Sequence, residues 1–181
     1  MPVADGRRAP GSGDVTLVLG GAGSGKSSFA ESLFSAPGRD VVYLATLTPT
    51  DDESRRRIVD HQKRRPAGWI TIELNGDLRA VASRLPTGAD VLFDSLTCYI
   101  SLLAFEDHDS TLASNLVGAI TAWRDQARVV VVVSDEIGSG VVPVNAEARR
   151  FRDVLGKVNQ ALAGVADKVY LVVAGIPIRV K

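Results

Sequence analysis

The sequence has little cysteine and no excess of either charge. Cys98 is the only cysteine among 181 residues, which excludes an intrachain disulfide and a cysteine-based metal cluster. Twenty-one Lys and Arg residues balance 21 Asp and Glu residues, so the formal net charge is zero. Because binding along a nucleic-acid backbone needs an excess of basic residues, this balance argues against a nucleic-acid partner.

Long apolar runs are also lacking. The longest runs, such as Val129 to Val133, are far shorter than the roughly 20 residues that a membrane helix needs. Residues 1–14 hold no apolar segment of the roughly 7–15 residues typical of a secretory signal, and we expect a flexible leader there. These features predict a cytoplasmic protein without a membrane span.

Short β-branched runs alternate with longer segments of helical character. The predicted strands cover residues 15–19, 41–45, 70–73, 91–93, 129–134, 169–173 and 176–180. The predicted helices cover residues 26–34, 52–64, 77–85, 111–127 and 146–163. This alternation predicts a single α/β domain over residues 15–181 with a mostly parallel sheet. Its last two strands are predicted to form an antiparallel hairpin at the sheet edge, with Gly175 and Pro177 in the turn.

A glycine-rich loop lies between the first predicted strand and the first predicted helix. It consists of Gly20, Gly21, Ala22, Gly23, Ser24, Gly25, Lys26 and Ser27, in the pattern G-x-x-x-x-G-K-[ST]. Glycines let successive backbone N–H groups surround phosphate oxygens, and the helix start favours the same anion. In such a loop Lys26 reaches the β- and γ-phosphates and the Ser27 hydroxyl coordinates Mg²⁺. The motif therefore predicts a P-loop nucleotide-binding site.

A magnesium-side acid is expected at the end of another core strand. Asp94 ends the apolar run DVLFD, which would place its carboxylate at the carboxyl edge of the sheet. Asp94 could instead cap the following helix. Asp135 and Glu136 follow the run VVVVVS, occupy an equivalent position and are rival candidates.

Basic residues surround one of the two histidines. Between Arg55 and Arg65 there are six basic residues and one acid, Asp60, around His61. Such a pattern is compatible with a solvated helix whose acidic start and basic end complement the helix dipole. It is also compatible with a cluster that attracts a polyphosphate and keeps the imidazole neutral and nucleophilic. The other histidine, His108, is flanked by acids and is predicted to lie in a loop.

Several segments together resemble one enzyme family. They are LVLGGAGSGKSSFAE, YLAT followed by DDE, RIVDHQKRRPAGW, VLFDSLT, and SDEIGSGVVPVNAEARRFRDVLGKVNQALAGVADKVYLVVAGIPIRVK. The chain resembles the bifunctional adenosylcobinamide kinase/adenosylcobinamide-phosphate guanylyltransferases of cobalamin biosynthesis from about Val15 to Lys181. The resemblance implies a P-loop, RecA-like fold and a homotrimer. It also implies phosphorylation of adenosylcobinamide with ATP or GTP, followed by transfer of GMP from GTP to adenosylcobinamide phosphate.

The resemblance assigns roles to individual residues. It makes His61 the residue that carries the guanylyl group, and Lys26 the lysine of the phosphate loop. The implied nucleotide contacts outside that loop are Ala45, Thr46, Leu47, Gln62, Lys63, Arg64, Arg65, Glu73 and Asp94.

Three positions depart from the family pattern. Gly23 stands where the family usually has Arg, the segment after His61 reads QKRRP in place of K-D-G-R-P, and Asp135 replaces a common Asn. Two other functions remain open at this point. One is a P-loop small-metabolite kinase without guanylyl transfer, and the other is a GTP-binding regulatory module. A standard GTPase switch is disfavoured because no N-K-x-D motif is present.

Overall fold

A computed structural model of the protein describes residues 13–36, 38–46, 59, 65–74, 78–103 and 109–181. The strands within these residues are β1 (Asp14–Gly20), β2 (Val41–Ala45), β3 (Ile70–Glu73), β4 (Asp90–Asp94), β5 (Val129–Asp135), β6 (Lys168–Val173) and β7 (Ile176–Arg179). The helices are α1 (Lys26–Ser32), α2 (Arg79–Ala82), α3 (Leu96–Leu102), α4 (Asp109–Arg124) and α5 (Ala146–Val165). Among the described helices, none is long and apolar enough to cross a membrane.

The strands form one sheet in the order β3-β2-β4-β5-β1-β6-β7. Every neighbouring pair is parallel except β6 and β7, which are antiparallel. Strands β1 to β5 therefore end at one edge of the sheet, where ligands bind in open α/β folds.

The central strands are buried on both faces of the sheet. Val130 and Val132 belong to the larger apolar cluster, which α2 to α5 cover and which includes the fully buried Trp123. Val131 and Val133 point to the opposite face and join a smaller cluster with residues of α1. This arrangement explains the unbroken valine run and confirms the expected parallel sheet.

All seven predicted strands are present, with bounds shifted by one residue or less. Among the helices, α2 is shorter than predicted, and α4 begins and ends earlier, because Asp109–Arg124 replaces 111–127. The predicted helix 52–64 lies outside the described residues except for Val59. The structure adds α3, a helix that the sequence prediction missed. Its seven residues, Leu96–Leu102, are largely apolar and too few to distinguish a helix from a short apolar strand.

The C-terminal hairpin is confirmed, but its predicted turn was partly wrong. The turn contains Ala174 and Gly175, with φ of 51° and 80°, whereas Pro177 lies inside β7 opposite Val172. A two-residue hairpin turn of this kind needs positive φ at both central positions, and a proline ring cannot adopt positive φ. Pro177 is tolerated in β7 because that strand lies at the sheet edge.

Candidate functional site

The loop between β1 and α1 curls tightly at the carboxyl edge of the sheet. Gly23 and Gly25 have φ of 69° and 90°, in the left-handed region that glycine adopts without strain. The Ser24 amide donates to the Gly21 carbonyl at 3.2 Å, which closes the turn. A Cβ on Gly20 would lie 2.5 Å from Ser24 Oγ, so a side chain there would force the loop to shift. Gly20, Gly23 and Gly25 are therefore required by the loop's geometry.

One hydroxyl of the loop has an unused hydrogen-bonding capacity. Ser24 Oγ is buried and, among the described residues, has no hydrogen-bond partner. A buried polar atom without a partner costs free energy, and sites that bind polar ligands often retain such atoms. The loop thus contains one polar atom that the described residues leave without a partner.

Lys26 is held in place by two oxygen acceptors. Its ammonium nitrogen lies 2.6 Å from Asp135 Oδ1 and donates to the Gly21 carbonyl at 3.3 Å. The side chains of Lys26 and Asp135 are only 13% and 20% exposed. The lysine of the motif is therefore paired with the last residue of β5, in a position shielded from bulk water.

The candidate acids occupy different environments. Asp135 contacts Lys26, whereas Glu136 accepts a hydrogen bond from the amide of Gly138 at 2.7 Å and closes its own turn. Asp94 is buried at the end of β4. Of the two rivals to Asp94, Asp135 therefore contacts the phosphate loop, whereas Glu136 accepts hydrogen bonds from Gly138 and Ser139 of its own turn.

Asp94 does not cap the helix that follows it. The N-cap of α3 is Ser95, whose side chain accepts a hydrogen bond from the amide of Cys98 at 3.1 Å. The Asp94 carboxylate instead accepts a hydrogen bond from the Tyr43 hydroxyl at 3.3 Å, and that hydroxyl also lies 3.2 Å from the Asp94 carbonyl. The capping alternative is therefore wrong, and the carboxylate is oriented by a tyrosine on the neighbouring strand.

Tyr43 also contacts the basic segment through its ring. The Arg65 guanidinium carbon lies 3.3 Å from the ring centroid of Tyr43, a cation–π arrangement. Burial, and next the neighbouring Asp94 carboxylate, raise the pKa of the Tyr43 phenol well above its usual range, while Arg65 opposes this shift. The phenol thus stays protonated and remains a donor to Asp94.

Arg65 retains a donor that the described residues do not use. Its Nε atom is buried and has no hydrogen-bond partner within the described part of the chain. A stacked guanidinium keeps its in-plane N–H groups available, and these match the geometry of phosphate oxygens. Arg65 is thus equipped to bind an anion.

Predicted nucleotide contacts from three strands lie in one row. Glu73 pairs in register with Ala45, and Ala45 pairs on its other side with Asp94. The next residue, Thr46, is buried, and its hydroxyl donates to the Ser95 carbonyl and accepts from the Ser95 amide, both at 2.9 Å. With strands roughly 4.8 Å apart, Glu73 on β3 lies about 14 Å across the sheet from Asp135 on β5, the partner of the Lys26 ammonium. This separation is much larger than one phosphate group.

The residues near the loop suit a magnesium ion. Ser27 in the first turn of α1 and Asp94 at the end of β4 provide the oxygen donors that Mg²⁺ prefers. Within the described residues there is no group of three or more His, Cys, Asp or Glu side chains that could hold a metal. Mg²⁺ in P-loop proteins takes few protein ligands because phosphate oxygens and water supply the others. The donor set therefore fits Mg²⁺ bound together with a nucleotide.

Part of the predicted site lies outside the described residues. This part comprises Leu47, His61, Gln62, Lys63 and Arg64. His108, which is predicted to lie in a loop, is also outside the described residues. In contrast, the structure brings the loop residues, Ala45, Thr46, Glu73 and Asp94 to the same edge of the sheet.

Two residues at this edge were missed by the sequence prediction. Tyr43 lies inside an apolar strand, where an aromatic residue is predicted to belong to the hydrophobic core. Thr97 lies in the first turn of α3, a helix that was not predicted. Its hydroxyl oxygen accepts a hydrogen bond from the Asp135 amide at 2.8 Å. The polar tip of Tyr43 within a buried strand was the one available signal.

The fold and the loop define a P-loop nucleotide-binding protein. Two solved structures have the same fold: an ATPase from the type III secretion system of pathogenic bacteria, and the RadB recombinase. The ATPase gives a TM-score of 0.52 at 13% identity, over 88% of this chain and 51% of its own. RadB gives a TM-score of 0.51 at 16% identity, over 89% and 74%. These similarities confirm the predicted P-loop, RecA-like class.

The chain belongs to the cobinamide kinase / cobinamide phosphate guanyltransferase family, which it matches over residues 16–180. It is 39% identical to the bifunctional adenosylcobalamin biosynthesis protein CobU of Salmonella typhimurium, over 92% of this chain and 99% of that protein. It is 37% identical to CobP of Pseudomonas aeruginosa, over 91% and 96%, and 36% identical to CobU of Escherichia coli, over 92% and 99%. These matches confirm the resemblance seen in the sequence.

Proposed function

We propose that this protein phosphorylates adenosylcobinamide and then transfers GMP from GTP to the resulting phosphate, forming adenosylcobinamide-GDP. The observation that carries the proposal is the family match over residues 16–180, which includes the phosphate loop and the segment around His61. The relatives are named as bifunctional proteins of adenosylcobalamin biosynthesis, and they are covered almost end to end. The family description names both a kinase and a guanyltransferase, and this favours the bifunctional enzyme over a kinase without guanylyl transfer.

The kinase step relies on positioning and charge. Lys26 would hold the β- and γ-phosphates of ATP or GTP, and the loop amides would surround the same oxygens. Ser27 and Asp94 would hold Mg²⁺, which neutralises phosphate charge when it is bound. The substrate hydroxyl attacks the γ-phosphorus, the bond to the β,γ-bridging oxygen breaks, and the hydroxyl proton is released. Tyr43 supports this step because its hydroxyl orients the Asp94 carboxylate.

The guanylyl transfer needs a covalent carrier, which we propose is His61. A neutral imidazole nitrogen attacks the α-phosphorus of GTP, and the bond to the α,β-bridging oxygen breaks, so that pyrophosphate leaves. A phosphate oxygen of adenosylcobinamide phosphate then attacks the same phosphorus. The phosphorus–nitrogen bond breaks, and the imidazole is restored. Two in-line displacements would leave the configuration at phosphorus unchanged.

The remaining proposed contacts extend along the nucleotide. Arg65 is favoured as a phosphate ligand because its stacked guanidinium has a buried donor without a partner among the described residues. Leu47, Gln62, Lys63 and Arg64 are proposed contacts on the basis of the family pattern. Because Glu73 lies about 14 Å across the sheet from the Asp135 that pairs with Lys26, we assign it to a part of the nucleotide remote from the phosphates on Lys26.

The proposed assembly is a homotrimer, and the proposed location is the cytoplasm. The trimer follows from the family resemblance, and exposed apolar side chains, including Val141 and Val144 at 95% and 96% exposure, supply apolar surface for contacts between copies. The cytoplasm is the compartment in which ATP and GTP are made and consumed. Light scattering of the purified protein measures the assembly directly.

Mass spectrometry after incubation with GTP and Mg²⁺ tests the function. A GMP-sized increment on His61 is expected in the wild-type protein and in His108→Ala, the matched control at the only other histidine. His61→Ala should carry no increment. An increment in His61→Ala would remove His61 from the mechanism, whereas no increment in the wild type would favour a simple kinase or a GTP-binding regulatory module.

A further inference from the structure

The pairing of Lys26 with Asp135 places a carboxylate where a nucleotide phosphate would bind. We propose that Asp135 is a counter-ion that the nucleotide displaces from Lys26, and that this displacement makes nucleotide binding depend on a divalent cation. The inference rests on the proposed function only in that the loop must bind a nucleoside triphosphate.

The Asp135 backbone is held by contacts from both flanking helices. Its amide donates to Thr97 Oγ1 of α3 at 2.8 Å, and its carbonyl accepts from Asn159 Nδ2 of α5 at 3.1 Å. The buried Asn159 amide is itself fixed, because its oxygen accepts the Ser134 hydroxyl at 2.7 Å. The Asp135 main chain therefore cannot move away when Lys26 changes partner.

Strand register directs the carboxylate toward the loop. Asp135 pairs with Gly20, the last residue of β1, so β5 ends level with the start of the loop. Asp94 pairs with Val133 of β5, two residues before Asp135. Asp135 thus ends the strand next to β1, and Asp94 ends the strand beyond it.

The ion pair competes with phosphate for a single ammonium group. At 2.6 Å and with low exposure, the pair is a short charge-assisted contact and is screened less than a surface salt bridge. The Lys26 ammonium has three N–H donors, and Asp135 and the Gly21 carbonyl already take two of them. A triphosphate that contacts Lys26 through both its β- and γ-phosphates must therefore displace Asp135, and it then faces the Asp135 carboxylate. Two anions at such close range repel each other, and a divalent cation bound with the phosphates relieves that repulsion.

Direct GTP binding, measured by calorimetry with excess EDTA and with Mg²⁺, tests this role. Asp135→Asn should bind metal-free GTP at least tenfold more tightly than the wild type, equivalent to about 1.4 kcal/mol. In Mg²⁺ the two proteins should differ by less than about threefold, so the gain from Mg²⁺ shrinks in the variant. Asp135→Ala removes the same charge and should give the same shift, since the backbone contacts that hold this position remain.

Asp14→Asn is the matched control for charge. Asp14 begins β1, six positions and about 20 Å before Gly20, and its carboxylate pairs with Lys168. This variant should bind GTP as the wild type does with and without Mg²⁺. Unchanged or weaker metal-free binding in both Asp135 variants would overturn the inference while leaving the nucleotide site intact. Absence of GTP binding by the wild type in Mg²⁺ would overturn the proposed function as well.

Discussion

The amide of Gly175 donates a hydrogen bond to the carbonyl of Ser24 at 2.8 Å. This bond joins the turn of the C-terminal hairpin to the phosphate loop, although the two residues are far apart in the sequence. The contact is close, since a Cβ on Gly25 would lie 3.2 Å from the Gly175 Cα. The edge hairpin therefore supports the loop that the first strand positions.

Gly25→Ala should destabilise the protein. An alanine at this position would have to keep a φ of 90°, and its Cβ would press on Gly175. We therefore expect a loss of about 1–3 kcal/mol in the free energy of unfolding. Urea denaturation measures this loss. Gly21→Ala is the control, because its Cβ would meet nothing within 4 Å, and it should be nearly neutral. Equal stability of the two variants would contradict the importance of this contact.

Lys26→Ala should lower the kinase turnover number by about 10²–10³, the usual cost of removing one charge-stabilising group. The reason is that the Lys26 ammonium group lies against the phosphate loop, where it donates to the Gly21 carbonyl. Phosphorylation of adenosylcobinamide with labelled ATP measures the effect. Lys157→Ala removes an exposed lysine of α5 and should behave as the wild type. Turnover undiminished by Lys26→Ala would remove this residue from the mechanism.

Tyr43 and Arg65 should act as a coupled pair in GTP binding. Tyr43→Phe keeps the ring under Arg65 and loses only the bond to Asp94, whereas Tyr43→Leu loses both. We expect Tyr43→Leu to weaken GTP binding by about 0.5–1 kcal/mol more than Tyr43→Phe, the size of a cation–π contact.

The double variant Tyr43→Leu/Arg65→Ala checks that coupling. Its loss of affinity, measured by calorimetry, should be smaller than the sum of the two single losses, because both changes break the same contact. Thermal denaturation of each variant controls for folding. Fully additive losses would show that the stacking does not contribute to binding.

Cys98 should react slowly with thiol reagents at pH 8. Burial raises the pKa of its thiol, mainly through desolvation, so less of the reactive thiolate is present at that pH than in a free cysteine. The rate should rise as the pH increases and should reach the free-cysteine rate when the chain is unfolded in urea. Because Cys98 is the only cysteine, a colorimetric thiol assay reports this group alone. A native rate at pH 8 equal to the unfolded rate would contradict the burial.

Much of the fold could be predicted because its signals are local. Apolar valine runs identify the buried strands, and the loop pattern places a strand before it and a helix after it. The missed helix, α3, begins with a Ser95 cap and buries Leu96, Tyr99 and Ile100, but it is only seven residues long. A short apolar run does not distinguish a helix from a buried strand, because it spans too few turns to show a period.

By itself, the sequence determined the class of site: a phosphate loop at the end of the first strand and candidate acids at the ends of others. Only the tertiary structure decided which acid meets which partner. Asp135 pairs with Lys26 because β5 lies beside β1, and Asp94 meets Tyr43 because β4 lies beside β2. Strand order and register bring these residues together across long stretches of chain, and neither is encoded in the local periodicity that a sequence displays.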